Sequence, residues 1–167
     1  MTDLLRELSQ FRSASSNHEL IAVSPVVVRR KVAFGECDPA GIVYTPRFAD
    51  YIVETYFWFS AVASQDLGSS FEMPMRSLQI DFRSMLSYGA WFEMRCLVGD
   101  IRSRSFDLVI EARSIRQDIA FIGRLSPVAV DFDTRSAIAI PMQMRERLFA
   151  YRDAHAHLSV PVSSLEE

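Results

Sequence analysis

The chain has 167 residues, 49% of them apolar and 23% charged, with a net charge of -3. That length suits one domain able to bury a core without staples, and the apolar fraction excludes an intrinsically disordered chain. The mild acidity supplies no overall field for nucleic acid, and no apolar run is long enough to span a bilayer.

Residues 1–24 read as an appendage. Leu4, Leu5, Leu8 and Phe11 keep helical spacing, and Ser13 to Asn17 breaks it, which predicts a short docked helix or a frayed arm. His18 lies in this arm, away from candidate chemistry in the sequence. Val26 to Phe34 predicts a first strand. A turn rich in Gly and Pro follows, and Thr45-Pro46 suits an N-cap and first position of a helix. From Arg47 to about Ser64 the apolar residues Phe48, Ile52, Phe59 and Val62 hold helical spacing. Tyr51, Tyr56 and Trp58 widen that stripe, so the helix is expected to be enclosed rather than surface-lying.

After Pro74 the pattern alternates: Leu78-Ile80-Phe82, Phe92 to Val98, Phe106 to Ala112, and Val128-Val130-Phe132 predict four strands. Breaks at Ser87-Tyr88-Gly89, Gly99 to Ser105 and Gln117-Asp118 are short enough for hairpins, and Pro127 marks a bulge or an edge. Pro141 opens a terminal helix with Met144, Leu148 and Tyr151 on one face. The sum is an α+β layout: one antiparallel sheet of about five strands around one long helix, with a short C-terminal helix. The expected division is an arm over 1–24, a domain over 25–155 and a tail over 156–167.

Cys37 and Cys96 have no metal-ligand spacing and form no disulfide framework. With no secretory pattern in the first twenty residues, they read as reduced thiols of a cytoplasmic protein. His155 and His157 lack a third ligand at convincing spacing, so no metal is expected and a solvated helix end is the simpler reading.

The stretch Phe34-Gly35-Glu36-Cys37-Asp38-Pro39-Ala40-Gly41-Ile42-Val43-Tyr44-Thr45-Pro46 carries the chemistry. Asp-Pro often simply starts a turn, and by spacing alone Asp38 is first a turn former. Yet Gly41 permits a tight path and Ile42-Val43-Tyr44 would partly desolvate a neighbouring carboxylate. An anion beside a helix start can attack a carbonyl while the helix end stabilises the oxyanion. Glu36 alternates away from Asp38, Glu54 reads as structural, and Cys37 has no histidine near it in sequence to make a thiolate.

This stretch resembles the 4-hydroxybenzoyl-CoA thioesterase-like branch of the hotdog superfamily, closely over Val32 to Tyr51 and more thinly over about 26–150. The resemblance implies an acyl-CoA thioesterase with Asp38 as catalytic carboxylate, nucleophile or general base. It puts the oxyanion donor on the Thr45 backbone N–H, where relatives usually carry tyrosine, so the acyl pocket is expected to differ in shape. Gly41, Tyr44, Phe48 and Tyr51 would meet the substrate, and Arg102, Arg104 and Ser105 the CoA phosphates. The resemblance further implies a homodimer or homotetramer, no cofactor beyond the CoA of the substrate, and no nucleic-acid or membrane partner. All three histidines fall outside the helix and the turn, which disfavours the hydratase branch of the fold. An acyl-carrier-protein thioesterase and a non-catalytic acyl-CoA or aromatic-ligand binding module are the alternatives.

Overall fold

The structure, a computed structural model, describes residues 17–65, 67 and 71–158. Strand β1 (His18–Val23) pairs with β2 (Val26–Lys31), after which the chain makes a 3-10 turn over Phe34–Glu36 and enters helix α1 (Arg47–Ala63). A short β3 (Phe71–Glu72) leads to β4 (Met75–Phe82), β5 (Trp91–Ile101), β6 (Phe106–Ser114), β7 (Ile119–Pro127) and β8 (Val130–Asp131). Helix α2 (Met142–Ala154) and a 3-10 turn over Ala156–Leu158 close the described chain. The main sheet has the order β1-β2-β5-β6-β7-β4, with every pairing antiparallel, while β3 and β8 pair separately. This is the hotdog layout: β2 and β4 flank α1 in sequence yet stand on opposite sides of the sheet's centre, so the helix runs across one face.

Period-two patterning buries Val26 and Val28 of β2 together with Phe92, Met94 and Cys96 of β5 and Phe106, Leu108 and Ile110 of β6. Helix α1 seats on this surface through Phe48, whose ring lies 5.1 Å from Phe121 and 4.9 Å from Phe82, and through Phe59, 6.2 Å from Phe106. Close approach at the middle depends on Gly123: a Cβ there would stand 2.6 Å from Ile52 Cδ1. Helix α2 packs on β5, with Met144 and Leu148 buried. The Tyr151 hydroxyl accepts the Val26 N–H and donates to the Cys96 carbonyl, both at 2.8 Å. No helix among the described residues is long and apolar enough to cross a membrane.

Three expectations are corrected, and a fourth falls outside the described residues. His18–Val23, assigned to the arm, is an edge strand and makes the sheet six-stranded, because it finds a partner in β2 that local sequence does not announce. The predicted helix over Leu4 to Phe11 lies outside the described residues. The last long strand is Ile119–Pro127 rather than Val128 to Phe132, since burial of Ala120, Phe121, Ile122 and Gly123 in succession erases the alternation. Ser87-Tyr88-Gly89 is not a hairpin turn, because β4 and β5 are not neighbours and the segment between them passes beneath the Gly/Pro-rich turn.

Candidate active site

The turn that follows β2 folds into a narrow hairpin. The Tyr44 N–H donates to the Glu36 carbonyl at 2.9 Å, Cys37 bridges Val43, and the Asp38 N–H donates to the Ile42 carbonyl at 2.9 Å. The tip closes with the Gly41 N–H on the Asp38 carbonyl at 2.9 Å, and Gly41 has φ +79°, a left-handed conformation that glycine adopts without a Cβ penalty. The Asp38 carboxylate accepts the Ala40 N–H at 2.8 Å and is half-buried, so its second oxygen stays open to other partners. The outgoing arm is held from below: the Val43 N–H donates to the Leu86 carbonyl at 2.8 Å and the Tyr88 N–H to the Gly41 carbonyl at 3.3 Å.

Past the hairpin the chain turns directly into α1. The Arg47 N–H bonds the Tyr44 carbonyl at 2.8 Å and the Phe48 N–H bonds the Thr45 carbonyl at 3.2 Å. The expected Thr45 side-chain cap is not made: Pro46 takes the cap position and there is no side-chain cap bond. Pro46 has no N–H, and the Thr45 N–H has no partner among the described residues. An unused backbone donor thus stands at the positive end of a 17-residue helix. Beside it lies a cavity of about 260 Å³ walled by Val43, Thr45, Phe48, Phe82, Met85 and Leu86. Phe82 and Met85 leave large apolar surfaces exposed at its wall.

The residues named from sequence divide into two groups. Asp38, Gly41, Tyr44, Thr45 and Phe48 all belong to the hairpin or the start of α1, and Thr45 and Phe48 line the cavity. Tyr51 does not: it is wholly buried, its hydroxyl donates to Glu36 Oε2 at 3.0 Å, and the Arg30 guanidinium sits 4.3 Å from its ring centroid. One helical turn beyond Phe48, it faces the sheet instead of the cavity. Arg102, Arg104 and Ser105 form the β5–β6 hairpin at the far end of β5 from the Asp38 turn; 11 residues of strand separate the two ends, about 35 Å. Arg102 is tied to Asp107 in a two-point ion pair and Ser105 is buried, accepting from Arg102 Nε at 3.0 Å, while Arg104 is exposed.

Sequence reasoning missed a buried ionic cluster behind the hairpin. Arg30, on the inward face of β2, bonds both Glu36 and Glu54. His18, thought remote, lies 3.6 Å from Glu54 and edge-on to Trp58. Burial pushes the His18 imidazole down, with Arg30 adding to it against the pull of Glu54. Burial pushes Glu54 up in spite of Arg30 and His18. Glu36 also feels burial, but the Ala33 N–H, the Arg30 guanidinium and the Tyr51 hydroxyl outweigh it and hold its carboxyl below the usual value. The available signal was parity: in Val26-Val27-Val28-Arg29-Arg30, period two puts Arg30 inward. At the other end of the fold His155 is buried rather than solvated, with Nδ1 2.7 Å from the Tyr151 carbonyl and Nε2 3.2 Å from Ser24 Oγ. Among the described residues no three His, Cys, Asp or Glu side chains come together as a metal site.

Solved structures share this fold. A 1,4-dihydroxy-2-naphthoyl-CoA thioesterase from Synechocystis superposes with a TM-score of 0.64 at 17% identity, covering 74% of this chain and 94% of that one. A gentisyl-coenzyme A thioesterase gives 0.64 at 21% identity, over 73% and 98%. A Staphylococcus aureus protein solved in complex with CoA gives 0.76 at 12% identity, over 93% and 98%. At such identities the likeness is one of fold. No curated protein sequence matches the chain significantly. The family model described as the Thioesterase-like superfamily matches residues 32–148, from the end of β2 into α2, and the chain belongs to that superfamily.

Proposed function

We propose that the chain is an acyl-CoA thioesterase that hydrolyses a small aromatic or a short- to medium-chain acyl-CoA, with Asp38 as its catalytic carboxylate. The observation that carries this reading is the shared wall: the cavity touching the first turn of α1 is lined by Ile42 and Val43, the outgoing arm of the hairpin that presents Asp38. A thioester carbonyl placed there meets the unused Thr45 N–H, which takes the oxyanion as charge develops. Asp38 either attacks the carbonyl carbon, expelling the CoA thiolate and leaving an anhydride that water opens, or removes a proton from the attacking water. Exposed Phe82 and Met85 at the cavity wall suit an apolar acyl group.

CoA recognition by Arg102 and Arg104 then calls for a second copy. The outer edge of β4 is unpaired among the described residues. Its Met75 end lies beside the β5–β6 hairpin, where the Val128 N–H bonds the Pro74 carbonyl and the Ala129 N–H bonds the Arg104 carbonyl. Its Phe82 end borders the cavity. Antiparallel pairing of two β4 edges brings one copy's Arg104 hairpin towards the other copy's Asp38 hairpin, which supports a homodimeric unit with composite sites.

The test is Asp38→Asn assayed against a panel of benzoyl-, hydroxybenzoyl-, phenylacetyl- and short- to medium-chain acyl-CoAs. Loss of hydrolysis by at least a hundredfold with CoA binding retained is the expected result. Near-normal turnover refutes the role of Asp38. Tight binding of an acyl-CoA to the unaltered protein with no turnover replaces the hydrolase with a binding module, and turnover of the same acyl group only on a carrier protein moves the thiol carrier.

A further inference from the structure

Strand β2 alternates Val26 and Val28 inward, and the third inward residue is Arg30, 6% exposed. An arginine there needs a reason beyond packing. Its guanidinium bonds two carboxylates on different elements, Glu36 of the 3-10 turn and Glu54 of α1, and lies over the Tyr51 ring. Glu36 in turn collects donors from three places. Its side chain takes the Ala33 N–H at 2.7 Å, the Tyr51 hydroxyl at 3.0 Å and the Arg30 guanidinium. Its carbonyl takes the Tyr44 N–H at 2.9 Å, the rung that closes the base of the hairpin. One residue therefore joins β2, the 3-10 turn, the hairpin and α1.

Stability alone is a poor account of this cluster. A buried ionic group is often no better for folding than apolar residues of similar volume. Here the cluster is also imperfect, since Arg30 Nε is buried without a hydrogen-bond partner. What the cluster does secure is relative position. Asp38 is two residues from Glu36 on the incoming arm, and Thr45 directly follows Tyr44 on the outgoing one. The Glu36–Tyr44 rung is thus the base shared by both candidate catalytic groups, and the Tyr51 and Arg30 bonds pin that base to the helix and the sheet.

We propose that Glu36, held by Arg30 and Tyr51, is a positioning residue that fixes the Asp38 hairpin against α1 and so sets the placement of the Asp38 carboxylate relative to the Thr45 N–H. This rests on the catalytic reading of Asp38 given above. Glu36 touches no reacting atom; it acts through the hairpin. Misplacement of a reacting group by about 1 Å costs on the order of a hundredfold in rate, so loosening the base lowers kcat while leaving substrate binding nearly intact.

The test uses Glu36→Gln and Tyr51→Phe in the full chain, with Asp38→Asn alongside and Glu93→Gln, from the exposed Arg29–Glu93 pair, as a charge-removal control. Glu36→Gln and Tyr51→Phe are expected to lower kcat between about 10- and 100-fold with KM changed by less than about threefold. Amide hydrogen exchange at Asp38 and Tyr44 should quicken at least about tenfold, with exchange in β5 and β6 unchanged. Glu93→Gln should match the unaltered protein. Uniformly faster exchange across the sheet overturns the proposal in favour of a purely stabilising role, and Tyr51→Phe, which removes a single hydroxyl, guards against misfolding of Glu36→Gln. If Asp38→Asn is inactive while both Glu36→Gln and Tyr51→Phe keep kcat within twofold, the positioning role alone falls. If Asp38→Asn keeps turnover, the catalytic reading falls and takes the positioning role with it.

Discussion

Replacing Gly123 by alanine tests how α1 is seated on the sheet. The added Cβ would lie 2.6 Å from Ile52 Cδ1 and 2.9 Å from Ile52 Cγ1, against the roughly 3.5–4.0 Å at which carbon atoms rest. An overlap near 1 Å at the methyl, and somewhat less at the methylene behind it, cannot be relieved by swinging Ile52 outward, because that side chain is wholly buried. The backbone at Gly123 lies outside the left-handed region, so the cost is steric and not conformational. Overpacking of this kind costs about 1–3 kcal/mol. Ile52→Val deletes the Cδ1 atom responsible for the shorter contact and by itself costs about 0.5–1.5 kcal/mol. In the double variant that cost and the clash are partly the same atom, so the pair should be about 1 kcal/mol more stable than the sum of the singles. Urea unfolding of the four proteins, read at constant m-value, measures the coupling. Additivity within about 0.4 kcal/mol would refute the idea that Gly123 exists to admit Ile52. The same displacement should lower kcat in Gly123→Ala, and Ile52→Val should restore part of it, since α1 carries Thr45 at its start.

Further outcomes follow from other contacts. Tyr151→Phe leaves the Val26 N–H and the Cys96 carbonyl without the hydroxyl that bridges them; a loss of about 2 kcal/mol by urea unfolding is expected, and a loss under 0.5 kcal/mol would show that other groups satisfy both. Thr45→Ala keeps the backbone donor and removes only the side chain, so kcat on the best acyl-CoA should stay within about threefold, whereas a loss of a hundredfold or more would move the oxyanion role from the amide to the hydroxyl. Glu36 and Asp107 both have carboxyls held below their ordinary values, Asp107 chiefly by the Arg102 hydrogen bond. A depressed folded value stabilises the protein above the unfolded value and loses that stabilisation as pH falls through the folded one. Stability should therefore decline below about pH 4, and Glu36→Gln should flatten that decline; an unchanged acid slope would mean that Glu36 does not contribute to it.

Sequence alone carried a good deal of this protein. Local periodicity marked α1, β4, β5, β6 and α2, because in each of them one face meets the core and the other does not. The stretch from Phe34 to Pro46 was legible as a Gly/Pro-rich turn leading into a helix, because glycine and proline at those places restrict the backbone; its closing as a hairpin, and Pro46 rather than Thr45 at the cap, were not. What failed was whatever depended on a partner distant in the chain. β1 became a strand only because β2 offers an edge, and β7 lost its alternation because both of its faces are covered. Tyr51 was expected at the substrate through the family resemblance, and the packed structure turns it onto Glu36 and Arg30. Arg102 and Arg104 were expected to meet the CoA phosphates, and strand β5 carries them to its far end from the Asp38 turn of the same chain, which the sequence did not show. Spacing along the chain fixes which face a side chain leaves from; which groups meet there is set by strand order and by helix crossing, and these are decided only when the whole core closes.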